Sequence, residues 1–321
     1  MTASRHKIGK NMDGQKWDKR IHNQFDPQLD LQDCFLPQHL FACPMPVTTT
    51  IPIRHFGQQD FGKVAYEVIG HAFEIHGSLG KAFHESVYRS TIHQVLGERS
   101  VEEMQIRLTH QGFEKELYVD LVVDGGCPFE LKAASGLSAA HDSQLIQYLM
   151  LTGLSHGKLV NFGAERIEHK FVNCLESPEQ RREFQIVRRS WTTDAVAARL
   201  EDLVISLVRD WGTGLTRALY HEAVVALLGG VSHCRRFTET HWRGIPTGRQ
   251  PVDMIDDIAA FEITCMRRDL ESYEPHLQRF LASTSLESFL WVNIASGLVT
   301  FKRIERCGKK MEGQENAIQI E

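Results

Sequence analysis

The fold of this chain is decided by residues 118–134, which read Tyr-Val-Asp-Leu-Val-Val-Asp-Gly-Gly-Cys-Pro-Phe-Glu-Leu-Lys-Ala-Ala. Two apolar segments flank Asp124-Gly125-Gly126, where glycine supplies the positive φ that a hairpin turn requires. Asp120 precedes the turn, and Glu130 and Lys132 follow it. Side chains two apart on a strand share a face, so Glu130 and Lys132 point the same way. The hairpin can bring Asp120 beside them.

This cluster of three charges has three interpretations. Two carboxylates and an ammonium inside a small sheet are costly to bury unless they bind something. A hard divalent cation and a phosphate would satisfy them, because such a cation takes oxygen ligands. In the second interpretation the carboxylates lie on a solvated face, and in the third Lys132 simply pairs with Glu130. The pattern D…ExK is short, so these residues alone leave the choice open.

The overall composition is that of an ordinary globular protein. The chain has 321 residues, 42% of them hydrophobic and 24% charged, which suffices for one large domain or two ordinary ones. The net charge of -5 predicts that any contact with nucleic acid is local. Seven scattered cysteines indicate reduced thiols in an intracellular protein, and we expect a cytoplasmic location. No apolar run of ~18 residues and no N-terminal apolar segment is present, so we expect no membrane span and no secretory signal.

Hydrophobic periodicity predicts an α/β arrangement with a mixed sheet over residues 61–172. The predicted order is helix, helix, three strands, helix, two strands. The expected bounds are 61–76, 82–96, 101–110, 113–124, 127–134, 138–152, 158–162 and 167–172, with Gly77 and Gly80 breaking the first helix. Helical spacing places Glu85 and Tyr88 on one helix face and Gln144 and Tyr148 on another.

Several motifs of this region together resemble the GxxExxY family of the PD-(D/E)XK nuclease superfamily. The matching pieces, in chain order, are 79–88 (Leu-Gly-Lys-Ala-Phe-His-Glu-Ser-Val-Tyr), Asp120, Glu130-Leu131-Lys132, the Q-x-x-x-Y of Gln144 and Tyr148, and Asn161-Phe162-Gly163. One departure is visible, because Ala82 stands where the name motif has its glycine, although Glu85 and Tyr88 are kept.

The resemblance implies a metal-dependent nuclease that cleaves phosphodiester bonds in nucleic acid, with DNA favoured over RNA. Asp120 and Glu130 would be ligands of Mg²⁺ (or Mn²⁺), and Glu85 would reach the metal directly or through water. Lys132 would orient or deprotonate the attacking water or hold the phosphate as a point charge. Gln144 and Tyr148 would position the phosphate or support the metal shell. The fold implied is a mixed sheet flanked by helices.

The rest of the chain repeats this pattern, which predicts a tandem duplication. The same offset of 132 positions links three pairs of residues: Tyr88 with Tyr220, Glu130 with Glu262, and Asn161 with Asn293. We therefore expect residues 59–172 (the first half) to be an active nuclease-like domain and residues 194–305 (the second half) to be a degenerate copy. Residues 1–58 are expected to form a flexible extension, 173–193 a linker and 306–321 a mobile tail.

The second half lacks most of the candidate catalytic residues. The positions of Glu85, Lys132, Gln144 and Tyr148 hold, in that order, Arg217, Thr264, His276 and Phe280. Asp253 and Glu262 remain, but one residue closer together than Asp120 and Glu130, which could turn Asp253 to the wrong face. We expect no cleavage there; the copy would pack as an internal pseudo-dimer or hold substrate. Arg235-Arg236 and Arg267-Arg268 are candidate phosphate contacts. The alternative for the whole chain is a non-catalytic module that binds nucleic acid or protein.

Overall fold

The computed structural model describes residues 46–192 and 194–306, together with the backbone of residues 319–320. The predicted flexible extension therefore lies outside the described residues as far as residue 45. The same holds for residues 307–318 and 321 of the predicted tail. The described residues form one compact unit.

The first half has the predicted order of elements and adds one edge strand before them. Its elements are β1 (Val47–Thr49), α1 (Gln58–Leu79), α2 (Glu85–Leu96), β2 (Ser100–His110), β3 (Phe113–Val123), β4 (Cys127–Lys132), α3 (Ala139–Thr152), β5 (His156–Asn161) and β6 (Glu168–Asn173). The strands form one sheet in the order β1-β2-β3-β4-β5-β6. Only β4 and β5 run parallel within it, so the mixed α/β sheet that we predicted is confirmed.

The start of this half differs from the sequence prediction. Residues 47–49, which we expected in a flexible extension, pair antiparallel with β2. α1 continues through Gly77, since one glycine costs a helix only about 1 kcal/mol. It ends at Gly80, whose φ of 73° suits a residue without a Cβ. α2 begins at Glu85 rather than at residue 82.

The linker and the second half follow with α4 (Pro178–Arg182), β7 (Gln185–Arg189), α5 (Ala195–Trp211), α6 (Arg217–Leu227), α7 (Val231–Cys234), β8 (Arg235–Trp242), β9 (Ile245–Asp253), β10 (Ala259–Thr264), α8 (Leu270–Ala282), β11 (Ser288–Ala295), β12 (Leu298–Glu305) and β13 (Gln319–Ile320). A second sheet has the order β10-β11-β12-β7-β13. β8 and β9 form a separate two-stranded ribbon. The predicted linker thus contributes a strand, β7, to the second sheet. Residues 319–320, which we expected in a mobile tail, instead pair with β7.

Helices cover both faces of the first sheet, and the two halves share one core. α1 and α2 pack on one face against Leu121, Phe129 and Leu131. On the other face, α3 joins a cluster that also contains α5 and α6 of the second half. The halves are therefore held together by burial of apolar surface, which contributes about 25 cal/mol for each Å² removed from water.

A buried arginine of α4 ties the halves together. Arg181 is 2% exposed. Its guanidinium donates to the carbonyls of Met150, Trp211 and Thr213, at the ends of α3 and α5. Burial lowers the pKa of Arg181. Because buried charge is tolerated only with its hydrogen bonds satisfied, these three carbonyls fix how α3 and α5 meet.

Two further features concern the cysteines and the helices. The cysteines of the described ranges, Cys127, Cys174, Cys234 and Cys265, are free thiols, as predicted. Within those same ranges, no helix combines the length and the apolar content that crossing a bilayer requires.

Candidate active site

Glu130 and Lys132 lie on β4, an interior strand of the first sheet. Glu130 is fully buried. The Lys132 Nζ atom donates to Glu130 Oε1 at 2.6 Å, so the two side chains share a face, as their spacing predicts. Within the described ranges, the buried Oε2 atom of Glu130 has no hydrogen-bond partner. The ion pair therefore satisfies only half of this carboxylate.

Asp120 approaches from β3 at the point where pairing with β4 stops. The antiparallel ladder of these strands runs from Val123 opposite Cys127 to Leu121 opposite Phe129. Beyond it, Asp120 Oδ2 accepts the backbone N–H of Leu131 at 2.8 Å. The side chain thus replaces the missing ladder partner, and the hairpin brings both acids to one place.

Burial governs the protonation of this group. It raises the pKa of Glu130 to about 8, with a further contribution from the negative charge of Asp120. Burial likewise raises the pKa of Asp120. For Lys132, burial is the largest effect and lowers the pKa, but the charge and hydrogen bond of Glu130 together with the charges of Asp120 and Glu85 raise it overall. The ammonium is therefore charged at neutral pH.

The other three candidate residues surround these charges. Glu85, the first residue of α2, accepts the backbone N–H of Ala133 at 3.2 Å and lies 3.8 Å from Lys132 Nζ. Gln144 Nε2 donates to the Tyr148 hydroxyl at 2.9 Å, as their helical spacing predicts. Burial raises the pKa of Tyr148 to about 12, and the charges of Glu130 and Asp120 add to the rise. All six predicted site residues therefore converge beside the end of β4.

Arg89 also lies in this site, although we did not predict it from the sequence. Its Nη1 atom lies 3.5 Å from Asp120 Oδ1, and its Nη2 atom lies 2.8 Å from Glu103. Arg89 is four residues after Glu85, so it occupies the same face of α2 one turn later. This spacing could have indicated from the sequence that Arg89 lies beside Glu85. The contact with Asp120 could not be predicted in the same way, because it depends on how α2 packs on the sheet.

Asn161 shapes the backbone that follows Lys132. Its Oδ1 atom accepts the N–H groups of Ala134 and Gly163, and its Nδ2 atom donates to the Ala134 carbonyl. Asn161 is fully buried on β5. The motif Asn161-Phe162-Gly163 thus acts by holding the end of β4 rather than by touching the carboxylates.

The donor set fits a small hard cation with few protein ligands. The unpartnered Glu130 Oε2 and the Asp120 carboxylate are both oxygen donors. Among the described residues, no three His, Cys, Asp or Glu side chains lie close enough to hold a metal together. Mg²⁺ often uses only one or two carboxylates and keeps several waters, so the pair is sufficient. Glu85, which accepts a hydrogen bond from the Ala133 N–H, would then contact the metal through a water molecule.

The aligned residues of the second half make different contacts. The Arg217 guanidinium donates to Glu262 Oε1 at 2.9 Å and to the Ile263 carbonyl at 2.7 Å. Asp253 pairs with His221 and Arg235, at 2.8 Å and 2.6 Å. Arginines thus satisfy both carboxylates, and each acid is bound separately.

Comparisons with known proteins agree with the fold of the first half. A sequence model of the PD-(D/E)XK nuclease superfamily matches residues 62–173. No curated protein matches the chain. Among solved structures, one described as "Crystal structure of SSO0001" is 21% identical over 35% of this chain and 62% of that chain. This chain thus spans less than two thirds of that one, and the TM-score of the pair is 0.24. The first half is therefore similar, in sequence and in its mixed sheet flanked by helices, to the PD-(D/E)XK nucleases.

Proposed function

We propose that this protein is a metal-dependent nuclease whose active site lies in the first half. One observation carries the proposal: Glu130 is fully buried, yet its Oε2 atom has no partner among the described residues. An unsatisfied buried carboxylate oxygen costs free energy, and a cation removes that cost. The match of residues 62–173 to a nuclease superfamily supports the same reading.

Each residue of the site has a separate task in this proposal. A Mg²⁺ or Mn²⁺ ion held by Asp120 and Glu130 would polarise a phosphoryl oxygen and lower the pKa of a water molecule. Lys132, charged and 11% exposed at its side chain, would neutralise the phosphate as a fixed point charge. Gln144 and Tyr148 would orient the phosphate, and Glu85 would hold the Ala133 backbone in place. The substrate would be nucleic acid, with DNA favoured over RNA.

We further propose that the second half is a degenerate copy of the first, packed against it as an internal pseudo-dimer. After the edge strand, both halves have the order helix, helix, hairpin, strand, helix, two strands, apart from the four-residue α7 that the second half adds before its hairpin. Asn293 repeats the contacts of Asn161, since it accepts the Met266 N–H and donates to the Met266 carbonyl, 132 positions after Ala134.

The second copy would be inactive because an arginine fills the place of the metal. Arg217, at the position of Glu85, binds the Glu262 carboxylate and the Ile263 carbonyl. The lysine is replaced by Thr264, whose hydroxyl donates to Asn293 at 2.8 Å. With a guanidinium already neutralising Glu262, a divalent ion would gain little there.

The test is cleavage of labelled DNA and RNA with Mg²⁺, with Mn²⁺ and with EDTA, alongside counting of bound Mn²⁺ by electron paramagnetic resonance. Wild-type protein should cleave only with metal. Lys132→Ala should lower the rate by about 10²-fold or more, the cost of losing one charge-stabilising group, while its circular dichroism stays unchanged. Glu130→Gln should remove the tight Mn²⁺ site.

Glu262→Gln in the second half is the matched control, because it changes an aligned acid that Arg217 already satisfies. It should leave both cleavage and the Mn²⁺ count unchanged. The alternative is a binding module, which the 2.6 Å Lys132–Glu130 pair favours, since that pair needs no metal. Binding of nucleic acid or protein without any cleavage, and without a Mn²⁺ site at Glu130, would establish that alternative.

A further inference from the structure

The β8–β9 ribbon, residues 235–253, projects one face away from the protein. Among the described residues its strands form a ladder only with each other; the His241 N–H also donates to the Ser283 carbonyl, and a bridge between Met254 and Ala260 follows the ribbon. Thr238 and Val252 are buried, and the Thr238 hydroxyl lies 3.4 Å from Ser285 Oγ. Strand alternation then turns Phe237 and, on the facing strand, Arg249 to the opposite, solvent-facing side.

Large apolar side chains are exposed on this ribbon. Phe237 is 57% exposed, Trp242 61% and Ile245 58%. Trp242 lies opposite Ile245 beside the turn at Arg243-Gly244. Isolated exposed apolar residues are common, but two aromatic rings and an isoleucine on one narrow ribbon mark an interaction site.

Arginines lie directly on these aromatic rings. The Arg243 guanidinium is 4.9 Å from the centre of the Trp242 ring, and that of Arg249 is 5.5 Å from the centre of the Phe237 ring. Within the described parts of the chain, no ion pair joins Arg236, Arg243 or Arg249 to a carboxylate. Arg235 is the ribbon arginine that pairs with an acid, Asp253.

The ribbon is therefore locally basic on a chain whose net charge is -5. Its four arginines exceed its two acids, Glu239 and Asp253, of which Asp253 is held by Arg235. Guanidinium groups stacked on exposed rings present charge and a flat apolar surface together. A polyanion with unpaired aromatic bases has both matching features, because phosphates bind arginine and bases stack on rings.

We propose that the β8–β9 ribbon binds a single-stranded segment of nucleic acid, with bases stacked on Phe237 and Trp242 and phosphates bound by Arg243 and Arg249. The proposal deepens the proposed function, on which it rests: the second half would hold the substrate that the first half cleaves. The arginines stacked on exposed rings favour a strand that carries both phosphates and bases over a protein partner, which would have to supply carboxylates and flat rings of its own at these positions.

The experiment measures fluorescence anisotropy of labelled single-stranded and duplex oligonucleotides in EDTA, so that cleavage and metal binding play no part. Trp242→Ala and Phe237→Ala should each weaken single-strand binding about tenfold. The double variant Arg243→Ala/Arg249→Ala should also weaken it and reduce the slope of log affinity against log salt by about 0.7 for each lost phosphate contact. Quenching of tryptophan fluorescence on titration should occur in the wild type and be lost in Trp242→Ala, which retains the other four tryptophans, and so report the stacking.

Two matched controls change similar residues outside the ribbon. Tyr66→Ala removes an aromatic ring that is 85% exposed on α1, and Arg209→Ala removes an exposed arginine of α5. Both should bind as the wild type does. Circular dichroism of every variant checks that the fold is kept. We expect it to be kept, because the substituted ribbon side chains are exposed.

Unchanged affinity and salt slope in the ribbon variants would overturn the proposal. So would a loss confined to duplex DNA, or a change in oligomeric state in place of a change in affinity, which would indicate a protein interface. Failure of the proposed nuclease is recognised separately. In that case the ribbon variants still lose binding in EDTA, while wild-type protein with Mg²⁺ leaves every substrate intact.

Discussion

Tyr88 and Tyr220, 132 positions apart, make the same pair of hydrogen bonds. Each hydroxyl donates to the carbonyl of the glycine eight residues earlier, Gly80 or Gly212. Each also accepts the N–H of the residue five positions earlier, Phe83 or Leu215. Both rings are fully buried. This tyrosine therefore closes the turn between two helices in both halves.

Removing either hydroxyl should destabilise the protein. Tyr88→Phe and Tyr220→Phe each leave a backbone carbonyl and N–H without this partner, at a part-buried turn for Tyr88 and a buried one for Tyr220. We expect a cost of about 1–3 kcal/mol of unfolding free energy, with the larger cost for Tyr220. Urea denaturation measures it. Tyr66→Phe is the control, since that ring is 85% exposed and its substitution should change little. Equal stability of all three variants would mean that water satisfies the turns.

Glu130 should make the metal-free protein less stable as the pH rises. Its pKa is raised to about 8 in the folded protein from about 4.5, so the folded state holds this proton more tightly than the unfolded state. The resulting stabilisation is fully present below pH about 4.5 and is lost as the pH rises to about 8. Glu130→Gln should lack this loss. Its stability relative to the wild type should therefore increase across that window in EDTA.

Thermal denaturation at several pH values tests this expectation. Added Mg²⁺ should raise the melting temperature of the wild type at pH 8 but not that of Glu130→Gln, because ligand binding stabilises only a state with a site. Glu262→Gln should behave as the wild type in both experiments. A pH profile of Glu130→Gln that parallels the wild type would show that Glu130 keeps an ordinary pKa.

Arg89 should act as a positioning residue for Asp120. Loss of its 3.5 Å contact frees Asp120 Oδ1, and groups that orient metal ligands are typically worth about 10–100-fold in metal affinity. We therefore expect Arg89→Ala to weaken Mn²⁺ binding by about tenfold and Arg89→Lys to restore part of it. Arg107→Ala, which removes an exposed pair with Glu114, is the control for lost charge. Mn²⁺ affinity equal to that of the wild type would assign Arg89 to helix packing alone.

Gly163 should tolerate no larger residue. A Cβ atom there would lie 2.4 Å from the Ala134 carbonyl oxygen, so the backbone after Lys132 would have to move. We expect Gly163→Ala to cost about 1–3 kcal/mol of stability and to lower cleavage. Gly70→Ala in α1 meets nothing within 4 Å and should stabilise by about 0.5–1 kcal/mol. Urea denaturation of the two variants should move in opposite directions.

The sequence by itself determined the local relationships. Spacing of two along β4 put Glu130 and Lys132 on one face, and spacing of four along α3 brought Gln144 to Tyr148. The turn at Asp124-Gly125-Gly126 folded the hairpin as expected. These outcomes follow from the fixed geometry of strands and helices, which depends little on the rest of the chain.

Only the tertiary structure decided the contacts between distant residues. Arg89 reaches Asp120 across 31 positions, β7 of the predicted linker joins the second sheet, and Arg217 reaches Glu262 across 45. Local spacing carries no information about these pairs, because they depend on how whole helices and strands pack. The same packing buried Glu130 and left its second oxygen without a partner in the described chain. The sequence thus named the acids, and burial in the folded sheet made them a candidate site for a cation.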